Sequence, residues 1–140
     1  MKIKAHKKWP LLIAFCLFAW VPYSFASDEK PEHLLDGISM DYFYQNGSGI
    51  HIEFYDGKVR FEWIDGPAKG VSRGDIPYRS RKIGDEMYLV NFHEEEVMDF
   101  ITLIFNLKQN VMYSSALAKY GTDRERTIFF GGIIEHLERN

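Results

Sequence analysis

Between Gly37 and Ile134 the chain alternates apolar and polar residues with a period of two, in short runs separated by turn chemistry. In Gly49–Tyr55, Ile50, Ile52 and Phe54 share one side, and His51, Glu53 and Tyr55 the other. In Lys58–Ile64, Val59, Phe61 and Trp63 point one way and Arg60 and Glu62 the opposite way. A helix cannot generate that period, whereas a strand with one buried face does. The same reading gives strands at Ser39–Gln45, Ile76–Ile83, Glu86–His93, Val97–Leu107, Val111–Lys119 and Thr127–Ile134. The Val97–Leu107 run is apolar on both faces, which predicts a central strand or one followed by a bend.

Turn signals separate these runs. Asn46-Gly47 and Asp56-Gly57 are tight-hairpin dipeptides, because their backbones tolerate positive φ. Gly84-Asp85, Glu94-Glu95-Glu96 and Lys108-Gln109-Asn110 mark further reversals, and Tyr120–Arg126 reads as a charged loop. Asp65–Asp75, rich in glycine, reads as the one long loop, and Glu135–Asn140 as a polar tail. Eight hairpin-linked strands predict an all-β fold, an antiparallel up-and-down barrel of the calycin or lipocalin kind. Eight strands enclose an interior that side chains fill or that holds one small ligand. A two-layer sandwich has the same periodicity and stays open at this point.

The first 36 residues follow different rules. Lys2, Lys4, Lys7 and Lys8 precede an apolar run from Trp9 to Val21, and Ser24-Phe25-Ala26 places small residues where a signal peptidase needs them. The expectation is a signal peptide over residues 1–26, cleaved after Ala26, and a periplasmic or secreted product. The apolar run is shorter than the ~20 residues that span a bilayer, so no stable membrane anchor is expected after cleavage. Residues 27–36 read as a linker, with one helical turn near Glu32–Leu35, and the barrel domain as residues 37–134.

Cleavage would alter the charge. Four of the 17 basic residues lie in the signal and none of the 20 acidic ones, which leaves 13 against 20, a net charge of −7. That balance disfavours nucleic acid and anionic lipid as partners. Cys16, the single cysteine, would leave with the signal, and with it any thiol chemistry or thiolate metal site.

Candidate chemistry is sparse. Tyr42 and Tyr44 stand two apart on one strand, so both phenols face one side of the sheet; a solvent-facing or rim position is the plain alternative. Tyr88, Val90, Phe92 and Glu94 share a face, which puts the Glu94 carboxylate at the end of an aromatic row, where burial raises its pKa. Trp63 reads as interior lining. Arg73, within the long loop, is placed to neutralise an anion at an open end, while Arg60, Arg79 and Arg81 read as outward. His93-Glu94-Glu95-Glu96 has poor metal spacing, since neighbours on a strand face opposite ways, so no metal is expected. No Gly-x-Ser-x-Gly elbow or dinucleotide fingerprint occurs, and no cofactor is expected.

The order of motifs resembles a known group. Gly37, Tyr42-Phe43-Tyr44, Asn46-Gly47, Val59-Arg60-Phe61-Glu62-Trp63, Gly66-Pro67, Gly70, Tyr78, Tyr88–Glu94 and Ile101–Leu107 follow one another as in phenolic acid decarboxylases and the related MoaF-like domains. The resemblance implies a calycin-type barrel with a ligand cavity. It further implies that Tyr42 and Tyr44 hold a substrate carboxylate and that Glu94 handles a proton. The family's arginine falls at Val71 in an ungapped reading and reaches Arg73 only with a two-residue shift. Ser48 stands where those enzymes carry a tryptophan.

Three functions follow. The leading one is an exported barrel that binds a small, partly apolar, anionic or phenolic ligand through Tyr42, Tyr44, Trp63, Arg73 and Glu94. The second is a cofactor-free phenolic acid decarboxylase with Glu94 as proton donor. The third is a protein-interaction or inhibitor module that uses the Asp65–Asp75 and Tyr120–Arg126 loops. Homo-oligomerisation is compatible with all three.

Overall fold

A computed structural model describes residues 33–140, which form eight antiparallel strands closed into a barrel in sequence order. They are β1 (Ile38–Tyr44), β2 (Gly49–Tyr55), β3 (Lys58–Asp65), β4 (Ser72–Gly84), β5 (Met87–Glu94), β6 (Asp99–Asn106), β7 (Val111–Ala118) and β8 (Arg126–Arg139). A single 3-10 turn, Glu95–Val97, links β5 to β6. Pairing of β1 with β8 closes the sheet, so no strand edge stays open among the described residues. The sandwich alternative is therefore excluded. The signal-peptide reading and most of the linker fall on residues outside those described.

The alternation read from sequence sets the two faces. Ile50, Ile52, Phe54 and Val59 are buried and Arg60 and Glu62 exposed. The Asp56-Gly57 hairpin has positive φ at both residues, 46° and 72°, the mirror-image turn whose twist matches that of the strands it joins.

Two boundaries differ from the sequence reading. The long loop is short: β4 begins at Ser72, and Phe61 pairs with Arg73. Gly70, Gly74 and the surrounding charges carry loop chemistry, but pairing with β3 holds that stretch extended. The polar tail is also strand. Its ladder to β1 runs on to Arg139 opposite Ile38, past a bulge between Asp41 and Tyr42. Glu135, His136, Glu138 and Arg139 are exposed, so the segment buries too little to register as a strand by hydrophobicity.

Up-and-down winding sends alternate connections to opposite ends. The end that carries the Asp56-Gly57 hairpin is filled. Leu35, Met40, Phe54, Tyr78 and Phe105 are each at most 1% exposed there. The Phe54 ring lies 4.9 Å from that of Tyr78 and 6.0 Å from that of Phe105. The chain that precedes β1 caps this end as a turn, not the helical turn expected. Leu34 N–H donates to Ser80 Oγ at 2.8 Å, and Leu35 N–H to the Tyr78 hydroxyl at 3.2 Å. That hydroxyl donates to Asp36 Oδ1 at 2.8 Å, and Asp36 Oδ2 accepts the Gly57 N–H at 2.9 Å. The Leu34 and Leu35 N–H groups, the Tyr78 hydroxyl and the Asp36 carboxylate are thus bonded as Leu35 enters the core.

Candidate functional site

The opposite end is hollow. A cavity of about 290 Å³ enters the barrel between the β3–β4, β5–β6 and β7–β8 connections. Its deep wall is apolar: Ile52 and Leu103 are 1% exposed, and Phe61, Phe92 and Phe130 stand above them. Towards the mouth the side chains become charged and wetter. All five residues singled out from sequence, Tyr42, Tyr44, Trp63, Arg73 and Glu94, line this one space.

Tyr42 and Tyr44 point inward from β1, with ring centres 5.4 Å apart and planes at 74°. Their position is set by the period of two together with the β1–β8 bulge, which lies just before Tyr42. Tyr44 also meets Phe130 at 5.3 Å and Trp63 at 6.3 Å, so these rings hold it upright. Burial raises the Tyr42 phenol well above its ordinary range, and the neighbouring Tyr44 hydroxyl adds to this. Burial raises Tyr44 too, against the opposing effects of Ser114 and Tyr42 hydroxyl contacts. Both phenols therefore keep their protons at neutral pH and act as neutral hydrogen-bond donors.

Arg73 reaches the mouth from β4, not from a loop. Its Nη1 donates to the Ser72 carbonyl at 2.8 Å, and its Nε lies 4.0 Å from Glu94 Oε2. That Nε is buried without a hydrogen-bond partner. Glu94 ends β5 with its side chain 11% exposed. Its pKa is pushed up to about 7, first by burial and then by the nearby Asp99 carboxylate, against the pull of Arg73 and Lys119. A carboxyl group poised there exchanges a proton close to neutral pH.

Asp99, Lys119 and Ser114 were not singled out from sequence. Asp99 pairs directly with Glu94 across β5 and β6. It is in phase with the inward Ile101, Leu103 and Phe105, so the alternation of β6 contained the signal. Lys119 lies beyond the end of β7, where its φ of 55° breaks the alternation, and period counting cannot place it. Its backbone N–H donates to Asp99 Oδ1 at 2.8 Å and its Nζ to the Val97 carbonyl at 2.9 Å. Val71, the residue at the ungapped arginine position, also lines the cavity, so both candidate positions face it.

His93 faces the other way from Glu94, as strand geometry requires. Its ring packs against Phe100 and Tyr120 and bonds the Tyr120 hydroxyl. Among the described residues no three His, Cys, Asp or Glu side chains come together as a metal site.

The Glu94 environment has a measurable consequence. Its folded pKa of about 7 lies above the ordinary 4.5, so the folded state binds the proton more tightly than the unfolded chain. The resulting stability is fully present below about pH 4.5 and is lost as pH rises towards about 7. Glu94→Gln removes that dependence. Relative to wild type, the variant is expected to gain up to about 2 kcal/mol between about pH 4 and about pH 8, with solvent screening at the mouth allowed for. Urea unfolding at the two pH values reads the difference; parallel changes in both proteins would show that Glu94 is solvated.

Comparison with known proteins locates the chain. A family model described as "MoaF: MoaF N-terminal domain" matches residues 29–118. No curated protein matches the sequence significantly. Among solved structures, the chain is similar to one described as "Crystal Structure of a putative beta-lactamase from Burkholderia vietnamiensis", at 13% identity and a TM-score of 0.65. That likeness covers 80% of this chain and all of the other. At such identity it speaks for the barrel fold alone.

Proposed function

We propose that this chain, which belongs to the MoaF N-terminal domain family, binds a small, partly apolar ligand with an anionic or phenolic group inside its barrel. One observation carries the reading: Tyr42, Tyr44, Trp63, Arg73 and Glu94 converge on a single cavity of about 290 Å³. That volume suits a ligand of about one aromatic ring, near the lower end of small-molecule sites. The apolar floor takes the ring, the neutral phenols of Tyr42 and Tyr44 donate to oxygen atoms, and Arg73 supplies positive charge at the mouth. The buried Arg73 Nε supports the last assignment, because it has the Glu94 carboxylate at 4.0 Å but no hydrogen-bond acceptor, and a buried donor without one is costly. The reading includes export to the periplasm or beyond, on the strength of the N-terminal 26 residues.

Trp63 provides the readout. It is the one tryptophan of the described barrel; Trp9 and Trp20 precede it. Titration with p-coumarate, hydroxybenzoates and simple phenols is expected to quench fluorescence saturably, and Trp63→Phe abolishes the signal. Replacement of both Tyr42 and Tyr44 by phenylalanine weakens binding by about tenfold or more, since each lost hydrogen bond costs about 1 kcal/mol. Absence of saturable quenching across the panel would overturn the binding reading.

A second reading has its own observation, the Glu94 carboxyl poised near neutrality in the same cavity. In a cofactor-free decarboxylation Tyr42 and Tyr44 orient a hydroxycinnamate carboxylate. The bond to that carboxylate breaks, carbon dioxide leaves, and Glu94 delivers a proton to the carbon left behind. Ultraviolet spectroscopy of p-coumaric acid with the protein follows loss of the conjugated acid. Quenching of Trp63 without turnover keeps the binding reading and ends the enzymatic one.

A further inference from the structure

The outer wall of the barrel is divided in two. Across β2, β3 and β4 the outward positions include Glu53, Arg60, Glu62, Arg79 and Arg81. Across β6, β7 and β8 they carry no charge from Phe100 to Ile104, from Val111 to Leu117, or from Thr127 to Ile133. Five of them are large and open to solvent: Phe129 at 75% exposure, Ile133 at 54%, Tyr113 at 49%, Phe100 at 44% and Leu117 at 37%. The ladders join them into one surface. Ile104 lies opposite Tyr113, Tyr113 opposite Gly131, Phe100 opposite Leu117, and Ile133 opposite Val111.

We propose that this uncharged wall is a two-fold interface with a second copy of the chain. The wall carries a knob and a hole two residues apart on β8. Phe129 stands proud. At Gly131 a missing side chain leaves a groove of about 320 Å³ beside Tyr113, Phe43 and Ile133. A Cβ at Gly131 would stand 3.4 Å from the Gln45 amide and 3.6 Å from the Tyr113 ring, so any longer side chain occupies the groove. A two-fold axis in the plane of the face, perpendicular to β8 at Phe130, carries each Phe129 over the other copy's Gly131. An isologous contact needs that self-complementarity.

Area and charge agree with this occupant. At about 200 Å² for each whole residue, the five exposed side chains alone present roughly 500 Å². The neutral residues around them bring the face near the ~800 Å² per partner of a stable complex. Residues 33–140 hold 12 Lys and Arg against 17 Asp and Glu, a net charge of −5, so two copies repel except where the local charge is zero. That sign also disfavours an anionic membrane.

Sedimentation equilibrium of the purified protein tests the proposal. Wild type is expected to dimerise at micromolar concentration. Phe129→Glu and Gly131→Trp each raise the dimer dissociation constant about 100-fold or more, the first by burying a charge and the second by filling the groove. Arg79→Glu, on the charged wall, leaves it unchanged. Circular dichroism confirms that each variant folds; if Gly131→Trp does not, Phe129→Glu decides. A wild type that stays monomeric up to about 100 μM overturns the proposal, as do variants that remain dimeric. Monomeric wild type that binds phosphatidylcholine vesicles through Phe129 also overturns it and assigns the face to lipid.

Discussion

Phe54→Ala is expected to lower the stability of the barrel by about 3–5 kcal/mol and its melting temperature by about 15–25 °C. Phe54 is fully buried at the filled end, with Tyr78 and Phe105 against its ring. The three aromatics are inward residues of β2, β4 and β6, and Phe54 is the ring that meets both of the others. Its removal forfeits the transfer energy of a phenyl group and leaves a void that a closed sheet cannot collapse around, because strand spacing is fixed by hydrogen bonds. Urea unfolding measures the loss. A cost under about 1 kcal/mol would mean that the filled end is loosely packed.

Leu35→Ala is expected to cost about 2–5 kcal/mol, although the residue belongs to no strand. Leu35 is fully buried and enters the core from the turn that caps the barrel. Its own N–H and that of Leu34 are bound by Tyr78 and Ser80, so the side chain and the backbone of the cap are held together. Burial and the Asp36 carboxylate raise the Tyr78 phenol above its ordinary range, which keeps the hydroxyl protonated as donor to Asp36. Alanine would weaken the cap and let water into the floor of the interior. Urea unfolding gives the magnitude. Faster hydrogen exchange at Leu34, Leu35 and Gly57 would identify the cap as the place where the energy is lost; uniform acceleration over all eight strands would not.

The strands and hairpins were legible because each strand buries one face and each tight turn needs particular residues. Ile50, Ile52 and Phe54 against His51, Glu53 and Tyr55 define β2 without any further information. The start of β4 was hidden because Ser72, Gly74 and Asp75 carry loop chemistry, and only pairing with β3 makes them strand. The end of β8 was hidden because its last residues hold their place by a ladder to β1 and bury little. In the site, Tyr42, Tyr44 and Glu94 followed from phase, and Arg73 was found for a partly mistaken reason, as a loop residue. Lys119 escaped because a left-handed backbone turns it out of phase. Apolarity on both faces of Val97–Leu107 reads as a central strand or one followed by a bend, but a closed barrel has no central strand; Phe100, Thr102 and Ile104 simply form part of its outer face.

The closure of the sheet has a consequence for the order in which the chain assembles. Seven of the eight ladders join strands that are neighbours in sequence, and each can form as a local hairpin. The eighth joins residues 38–44 to residues 132–139, so its loop spans nearly the whole described chain. The entropy of closing a loop grows with its length, and contacts between distant residues slow folding. The β1–β8 seam is therefore the expected late step, and Tyr42 and Tyr44 lie on it. Without that seam the β1 and β8 edges would be unpaired and the sheet would enclose no pocket. A ligand that bridges Tyr42 or Tyr44 to the opposite wall would hold that seam shut, and would slow unfolding more than it speeds folding.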